Sequence, residues 1–295
     1  MQIEKNGRKT LLTINGITKD VHQWAEECGL KHTLLMDRLR NGVDEGHLFD
    51  TPRKTAEHIF NQNYFDVIDD EHKAYWLGFI YADGYIGSKH PTVGVELNHI
   101  DASHLEKFKR DLQSNFDIKI YNKNSTFGTQ TNCRFAFNSR TMHNALLSLG
   151  ITPTKSINGT FPTVHNKELI KDVIRGIFDG DGSIVYRIGA NGYPIACIHF
   201  CGTMSVLKVI ENYSGFKWSW SQRHPDKDVD NWQMCTGNQD DIISFLNYIY
   251  KDSTVYLDRK YQKYIDVVDG RKNLIDNRVK KGEADKDDKN AYCKD

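Results

Sequence analysis

The sequence predicts an α+β fold: two similar halves, each a sheet with helices on one side, behind a small N-terminal helical domain. Three observations predict it. Between Asp70 and Asp269 the order of helix-like and strand-like segments runs through once and then recurs. Each half opens on an apolar helix that carries small residues four apart and ends in Asp-Gly, in AYWLGFIYADGYI (Ala74 to Ile86) and VIRGIFDGDGSI (Val173 to Ile184). Ahead of both, ITKDVHQWAEECGLKHTLLMDRLRNG (Ile17 to Gly42) reads as helix, turn, helix.

Composition bounds the alternatives. The 295 residues, 39% hydrophobic and 26% charged, describe an ordinary soluble globular protein with room for one large domain and a small one. No apolar run approaches the roughly 20 residues of a membrane span. Met1 is followed by polar residues rather than a signal segment, so the chain is expected to stay in the compartment where it is made, the cytoplasm. Six scattered cysteines form no CxxC pair and read as reduced thiols, Cys197 and Cys201 sharing one face of a strand. Lys plus Arg equals Asp plus Glu at 39 each, so a nucleic-acid surface has to come from local placement of basic groups.

The expected boundaries are a helix-turn-helix-like segment over 1–52, a linker over 53–69, halves over 70–163 and 164–269, and a charged, disordered tail over 270–295. In the first segment Thr18 can cap a helix whose Val21, Trp24 and Ala25 share a face, Gly29 breaks it, and Leu34, Leu35 and Leu39 line a second helix. That second helix would present Lys31, His32, Arg38 and Arg40 to solvent, as a groove-reading helix does. A helical hairpin with no ligand fits the same pattern.

In the first half, TVGVELNH alternates Val93, Val95 and Leu97 with polar or small neighbours, the period of a half-buried strand. A helix over 102–113, strands near 118–121 and 134–138 and a helix over 141–149 follow. The second half repeats this with strands near 184–188 and 195–201, a helix over 206–213, strands over 217–222 and 232–236 and a helix over 240–250. Lys119, Lys123, Arg134 and Asn138, and then Lys217, Ser219, Ser221 and Arg223, alternate with apolar residues and so face outward. A wet face on an antiparallel sheet explains any one strand. The pattern in both sheets also suits strands that enter a DNA major groove.

The chemistry falls on the paired helices. Gly78 and Ala82, like Gly176 and Gly180, leave a smooth strip on one helix face, and the expected partner of each strip is the other. The glycine after each aspartate is expected to stop its helix in the left-handed conformation. Asp83 and Asp181 then sit at helix C-termini, where the dipole is already negative. Two carboxylates meeting there call for a cation, and oxygen ligands beside phosphate call for Mg²⁺, which could activate water at a phosphodiester. A single Asp-Gly is a simple turn; two copies, each heading a similar half, argue for more. A calcium-loop reading of Asp179 to Ala190 fails, with Ile184 where glycine and Ala190 where glutamate should stand. GRKT (Gly7 to Thr10) lacks the upstream glycine of a phosphate-binding loop.

These two segments resemble the paired motifs of single-chain LAGLIDADG homing endonucleases, over about Asp70 to Asp269. The resemblance implies two pseudo-twofold αββαββα halves forming a saddle on double-stranded DNA, in a monomer that cuts both strands across the minor groove. It implies Asp83 and Asp181 as metal ligands. Tyr81 stands where the second motif has Asp179, so that earlier acid is not carried over. The resemblance also places a catalytic lysine after the last helix of each half, here Lys155 in LGITPTKS and Lys260 in YLDRKYQKY; a solvated loop lysine is the plain alternative. A polar residue near the first helix of a half assists some relatives: His99 is the candidate by strand register, and the second half offers only Gly202. The N-terminal segment resembles units attached to phage-borne nucleases, which implies a mobile genetic element, intron-encoded or free-standing, with intron homing as its role; no splicing residues stand at the termini. Two rivals remain: a DNA- or RNA-binding protein on the same fold without cleavage, such as an intron maturase or regulator, and a helix-turn-helix regulator with a ligand-binding domain.

Overall fold

Leu12, Val21, Ala25, Leu35 and Leu48 bury their side chains together and give the N-terminal part a core of its own. In the computed structural model, which describes residues 1–7, 9–51, 58–125, 128–155, 159–189, 194–224, 226–227 and 230–273, the chain divides into two compact units, 1–57 and 58–295.

The first unit is not purely helical. A three-stranded antiparallel sheet, β1 (Gln2–Asn6), β2 (Lys9–Ile14) and β3 (Ile17–Asp20), precedes helices α1 (Val21–Glu27) and α2 (His32–Arg40). Ile17 to Asp20, expected to open the first helix, pairs with β2 instead. Thr18 is therefore a strand residue bonded to Thr13, and the cap is Asp20, whose carboxylate accepts from His22 N while Gln23 reciprocates on Asp20 N. Gly29 turns the chain at φ +64°, as its place between two helices requires.

The second unit carries the repeat. Its first half runs α3 (Glu71–Ala82), β4 (Gly84–Ile86), β5 (Thr92–Asn98), α4 (Ala102–Asp111), β6 (Lys119–Ser125), β7 (Gly128–Asn138) and α5 (Arg140–Ser148). Its second half runs α6 (Ile170–Asp181), β8 (Ser183–Ile188), β9 (Pro194–Gly202), α7 (Met204–Ser214), β10 (Ser219–Gln222), β11 (Trp232–Thr236) and α8 (Gln239–Tyr250). Both sheets are antiparallel and follow the same order, β4-β5-β7-β6 and β8-β9-β11-β10. The α+β class and the αββαββα repeat are thus present. Period-two patterning decides which face goes inward: Val93, Val95, Phe135 and Phe137 are buried on one sheet, and Ile184, Ile198, Phe200 and Met234 on the other. Amphipathic α4, α5, α7 and α8 cover those faces through Leu105, Phe108, Met142, Leu146, Val206, Leu207, Ile210, Phe245 and Leu246.

Several boundaries differ from expectation. The short strand β4 was not visible in the sequence pattern, because three residues cannot show a period. Strands β6 and β7 extend into a polar hairpin, joined by backbone pairing that hydropathy does not report. The supposed linker is partly core: Tyr64 and Phe65 are buried in the second unit, and Ile59 N donates to Asn115 Oδ1 at 2.8 Å. A helix α9 covers residues 258–273, so the expected tail starts inside it, while 274–295 lie outside the described residues, as do 52–57. Among the described residues no helix is long and apolar enough to cross a membrane.

Helices α3 and α6 run through the middle of the unit. Every residue from Ala74 to Tyr81 and from Val173 to Asp179 is buried, and Ala82 and Gly180, just beyond, are partly open. A helix buried all round has lost its water-facing stripe and must be packed on several sides. Among the groups it buries is the Arg175 guanidinium, which donates to Asp172, to Glu71 of α3 at 2.6 Å, and to the carbonyls of Ile249 and Val255. Glu71 also accepts from the Thr254 amide and hydroxyl, so this buried charge is paired and joins the two halves.

Candidate active site at the paired helix ends

Close approach of α3 and α6 fixes the site. A Cβ on Gly78 would lie 2.1 Å from the Val173 carbonyl oxygen, and a Cβ on Gly176 would lie 2.1 Å from that of Tyr75. Val173 stands to Gly176 as Tyr75 stands to Gly78, so the contact is reciprocal, as a twofold-like axis between the helices requires. One turn on, a Cβ on Gly180 would meet Ala82 Cβ at 2.3 Å and Asp83 Cγ at 3.4 Å. The four predicted interface residues, Gly78, Ala82, Gly176 and Gly180, all sit on the seam.

Asp83 caps α3 and Asp181 is the last residue of α6. The following glycines do not take the left-handed conformation expected of them: Gly182 is extended at φ −80°, and Gly84 opens β4. Their role is steric. A Cβ on Gly84 would fall 2.7 Å from Ile80 Cα, and one on Gly182 2.1 Å from the Phe178 ring, so each strand can leave directly over its own helix.

The two carboxylates share one electrostatic environment. Burial raises the pKa of Asp83, with Lys260 and Lys155 opposing. Asp181 meets solvent yet lies in a concave, protein-lined recess, and desolvation followed by the neighbouring Asp83 pushes it up to about 6. Each acid opens into its own cleft. Asp181 shares one with Tyr81, Lys155, Cys201, Gly202, Thr203 and Arg223; Asp83 shares the other with Glu96, Asn98, Asp101, Gln130, Asn132 and Arg259.

Both predicted lysines are buried against helix C-termini rather than solvated. Lys155 Nζ donates to Ala82 O at 2.8 Å, and Lys260 Nζ donates to the carbonyls of Phe178 (2.6 Å), Gly180 (3.3 Å) and Gly182 (2.5 Å). Ala82 and Gly180 are matching positions, so each ammonium satisfies the carbonyl just before the aspartate and meets the negative end of the dipole. Desolvation depresses both lysine pKa values, that of Lys260 to about 8.

Other expectations fare differently. Asp179 is fully buried and accepts from the Tyr75 hydroxyl, the Tyr250 hydroxyl and Leu257 N, a structural carboxylate whose pKa burial raises. His99 is exposed in a 3₁₀ turn and lines neither cleft; Asn98, the last residue of β5, lines the Asp83 cleft, as Gly202, the last of β9, lines the other. The strand ends at Asn98, whose side chain caps the turn through Ile100 N, so His99 falls in the turn rather than on the sheet. Lys119, Lys123, Arg134 and Asn138 share the outward face of the first sheet, and Ser219 and Ser221 that of the second, flanked by exposed Lys217 and Arg223. In the N-terminal unit Lys31 and Arg40 are exposed, but Arg38 turns inward and donates to the carbonyls of Leu48 and Asp50, so it is not a free groove-reading group.

Sequence reasoning missed Arg259, whose Nε donates to both Asp101 carboxylate oxygens beside Asp83, and the polar trio Asn98, Gln130 and Asn132. Alternation in GTQTNCRFAFN was the available signal for Gln130 and Asn132; nothing local links Arg259 to Asp101.

The donor set suits a hard divalent cation: two carboxylates at adjoining helix ends, both raised in pKa by desolvation and Asp181 raised further by Asp83. Among the described residues no group of three or more His, Cys, Asp or Glu side chains converges to hold a metal ion. A cation here would take the two aspartates plus water and substrate oxygens, the way Mg²⁺ is commonly held beside phosphate.

No protein-family model and no curated protein matches the sequence. Among solved structures the chain is similar to the LAGLIDADG homing endonuclease I-LtrWI bound to target DNA, at 13% identity over 75% of this chain and 92% of that one, TM-score 0.45. It is similar to the LAGLIDADG meganuclease I-AabMI bound to uncleaved DNA, at 9% identity over 71% and 92%, TM-score 0.44. It is likewise similar to full-length DUF199/WhiA from Thermatoga maritima, at 16% identity over 76% and 71%, TM-score 0.43. Likenesses this distant bear on neither activity nor partner; the fold rests on the strand order and helix packing described above.

Proposed function

We propose that this chain is a site-specific double-stranded DNA endonuclease of the LAGLIDADG homing type, acting as a monomer with internal pseudo-twofold symmetry. The observation that carries the reading is the glycine seam that brings Asp83 and Asp181 to adjoining helix ends. Such a pairing costs stability unless a cation offsets it, and each half adds a sheet whose outward face carries basic and polar side chains, Lys119, Lys123 and Arg134 on the first and Arg187, Ser219 and Ser221 on the second, as a duplex-reading surface would. Asp83 and Asp181 would hold Mg²⁺, which supplies water activation and charge neutralisation at a phosphodiester. Lys155, with one main-chain acceptor among the described residues, keeps hydrogens to orient a phosphate oxygen in the Asp181 cleft. Arg223 in the same cleft, and Arg259 in the other, can meet the backbone on either side.

One observation favours a binding protein without cleavage: Lys260 spends its ammonium on three main-chain carbonyls, so it is spoken for before any substrate arrives. Incubation with a randomised duplex library and Mg²⁺, followed by sequencing of cut ends, separates the two. The nuclease reading expects defined cut sites that vanish in Asp83→Asn and Asp181→Asn while duplex binding persists. Equal cutting by both variants sinks the assignment, and specific binding with no cutting by the natural chain hands it to the binding protein.

A further inference from the structure

The outward faces of the two sheets differ in kind. On the first sheet, Glu96, Arg134 and Lys119 stand in one row and Asn98, Asn132 and Tyr121 in the next. Glu96 accepts from Lys123 and Asn132 at 3.0 Å each, so that face is a hydrogen-bonded polar surface. Its outward strand residues include no aliphatic side chain larger than Ala136 among those described.

On the second sheet the same face carries Val185 opposite Cys197 and Ile195 opposite Arg187. Val185 is 47% and Ile195 39% exposed. Cys235, opposite His199, continues the apolar character towards Ser219. A reduced cysteine behaves as a small apolar group. Single exposed aliphatics need no explanation, but these adjoin one another in register on a face that pattern alone would make polar. The patch is continuous with the candidate active site, because Cys201, on the same face of β9, lines the Asp181 cleft. Arg187, Lys217 and Arg223 flank it, and no described outward side chain of β8 to β11 is acidic. A partner for this surface has to be anionic and yet offer small apolar groups. Duplex DNA does so in one place, the thymine C5-methyl in the major groove.

Resting on the endonuclease reading, we infer that the two halves read DNA by different chemistry, and that Val185, Ile195 and Cys197 select thymine in the half-site under the second sheet through methyl contact. The first sheet, carrying amides, lysines and an arginine, reads its half-site by hydrogen bonds.

The test uses the full chain. Duplexes selected from a random library are remade with uracil for thymine in one half-site at a time, which removes only the methyl groups. Uracil in one half-site is expected to weaken binding roughly three- to fourfold per contacted methyl, the value of one buried methyl group, and in the other half-site to change little. Val185→Ser with Ile195→Ser should bind thymine and uracil duplexes alike, and retention of the natural chain's affinity for the uracil duplex shows that the double variant is folded. A selected site with no thymine-to-uracil difference, or a difference that survives in the double variant, overturns the inference and leaves the endonuclease reading standing. Failure of the natural chain to enrich any duplex overturns both.

Discussion

The Cβ that Gly78 lacks would fall 2.1 Å from the carbonyl oxygen of Val173, closer than any two such atoms can come. Glycine here is a condition of helix contact rather than of backbone freedom. In a free helix Gly→Ala gains about 1 kcal/mol. At Gly78 or Gly176 the sign should reverse, with a loss of ~3 kcal/mol as the helices are forced apart. Urea unfolding of each alanine variant checks this, and a gain in stability at either position would show the helices are not in contact.

Charge at the site should cost stability in the absence of cations. Asp181 is raised in pKa by desolvation and by Asp83, so Asp181→Asn removes an unfavourable group. Its melting temperature in chelator should rise above that of the natural chain, and added Mg²⁺ should narrow the gap by stabilising only the natural chain. A lower melting temperature for the variant in chelator would contradict this.

The two buried lysines should differ in structural weight. Lys260→Met leaves three carbonyls at the end of α6 without their donor, whereas Lys155→Met frees one at the end of α3. The first is expected to cost roughly 3 kcal/mol or more and the second roughly 1 to 2 kcal/mol. Denaturation midpoints measure both, and equal losses would mean the environments are alike after all.

Acid sensitivity should trace in part to His104. Its ring is buried, bonds the Tyr75 hydroxyl at 2.9 Å, and desolvation depresses its pKa from 6.5 to about 3. The folded chain holds it neutral while the unfolded chain protonates it, so its contribution is full above pH 6.5 and is lost as pH falls towards 3. His104→Gln should lose less stability than the natural chain between pH 7 and pH 4, read as unfolding free energy at each pH.

In the N-terminal unit, Arg38→Ala should unfold the unit more readily by removing its bonds to Leu48 and Asp50. Lys31→Ala and Arg40→Ala should leave its melting unchanged and, if α2 meets DNA, flatten the salt dependence of binding. A truncation lacking residues 1–57 with unaltered affinity would make the unit a bystander.

Much of this was written in local pattern. Gly78, Ala82, Gly176 and Gly180 announce a helix seam by spacing alone, and alternation around Val93 to Leu97 assigns a strand and its faces, because side-chain periods of 3.6 and 2 are properties of the backbone. The recurrence of that pattern determined the α+β repeat and singled out Asp83 and Asp181. Tertiary structure alone decided what those residues touch. It placed Gly84 and Gly182 against their own helices rather than in a left-handed turn, seated Lys155 and Lys260 on helix-end carbonyls, turned Arg38 inward, and brought Arg259 to Asp101. The lysine and Arg259 contacts join groups far apart in the chain, and even the nearer contacts of Gly84, Gly182 and Arg38 depend on the path the chain takes between elements, which no local period encodes.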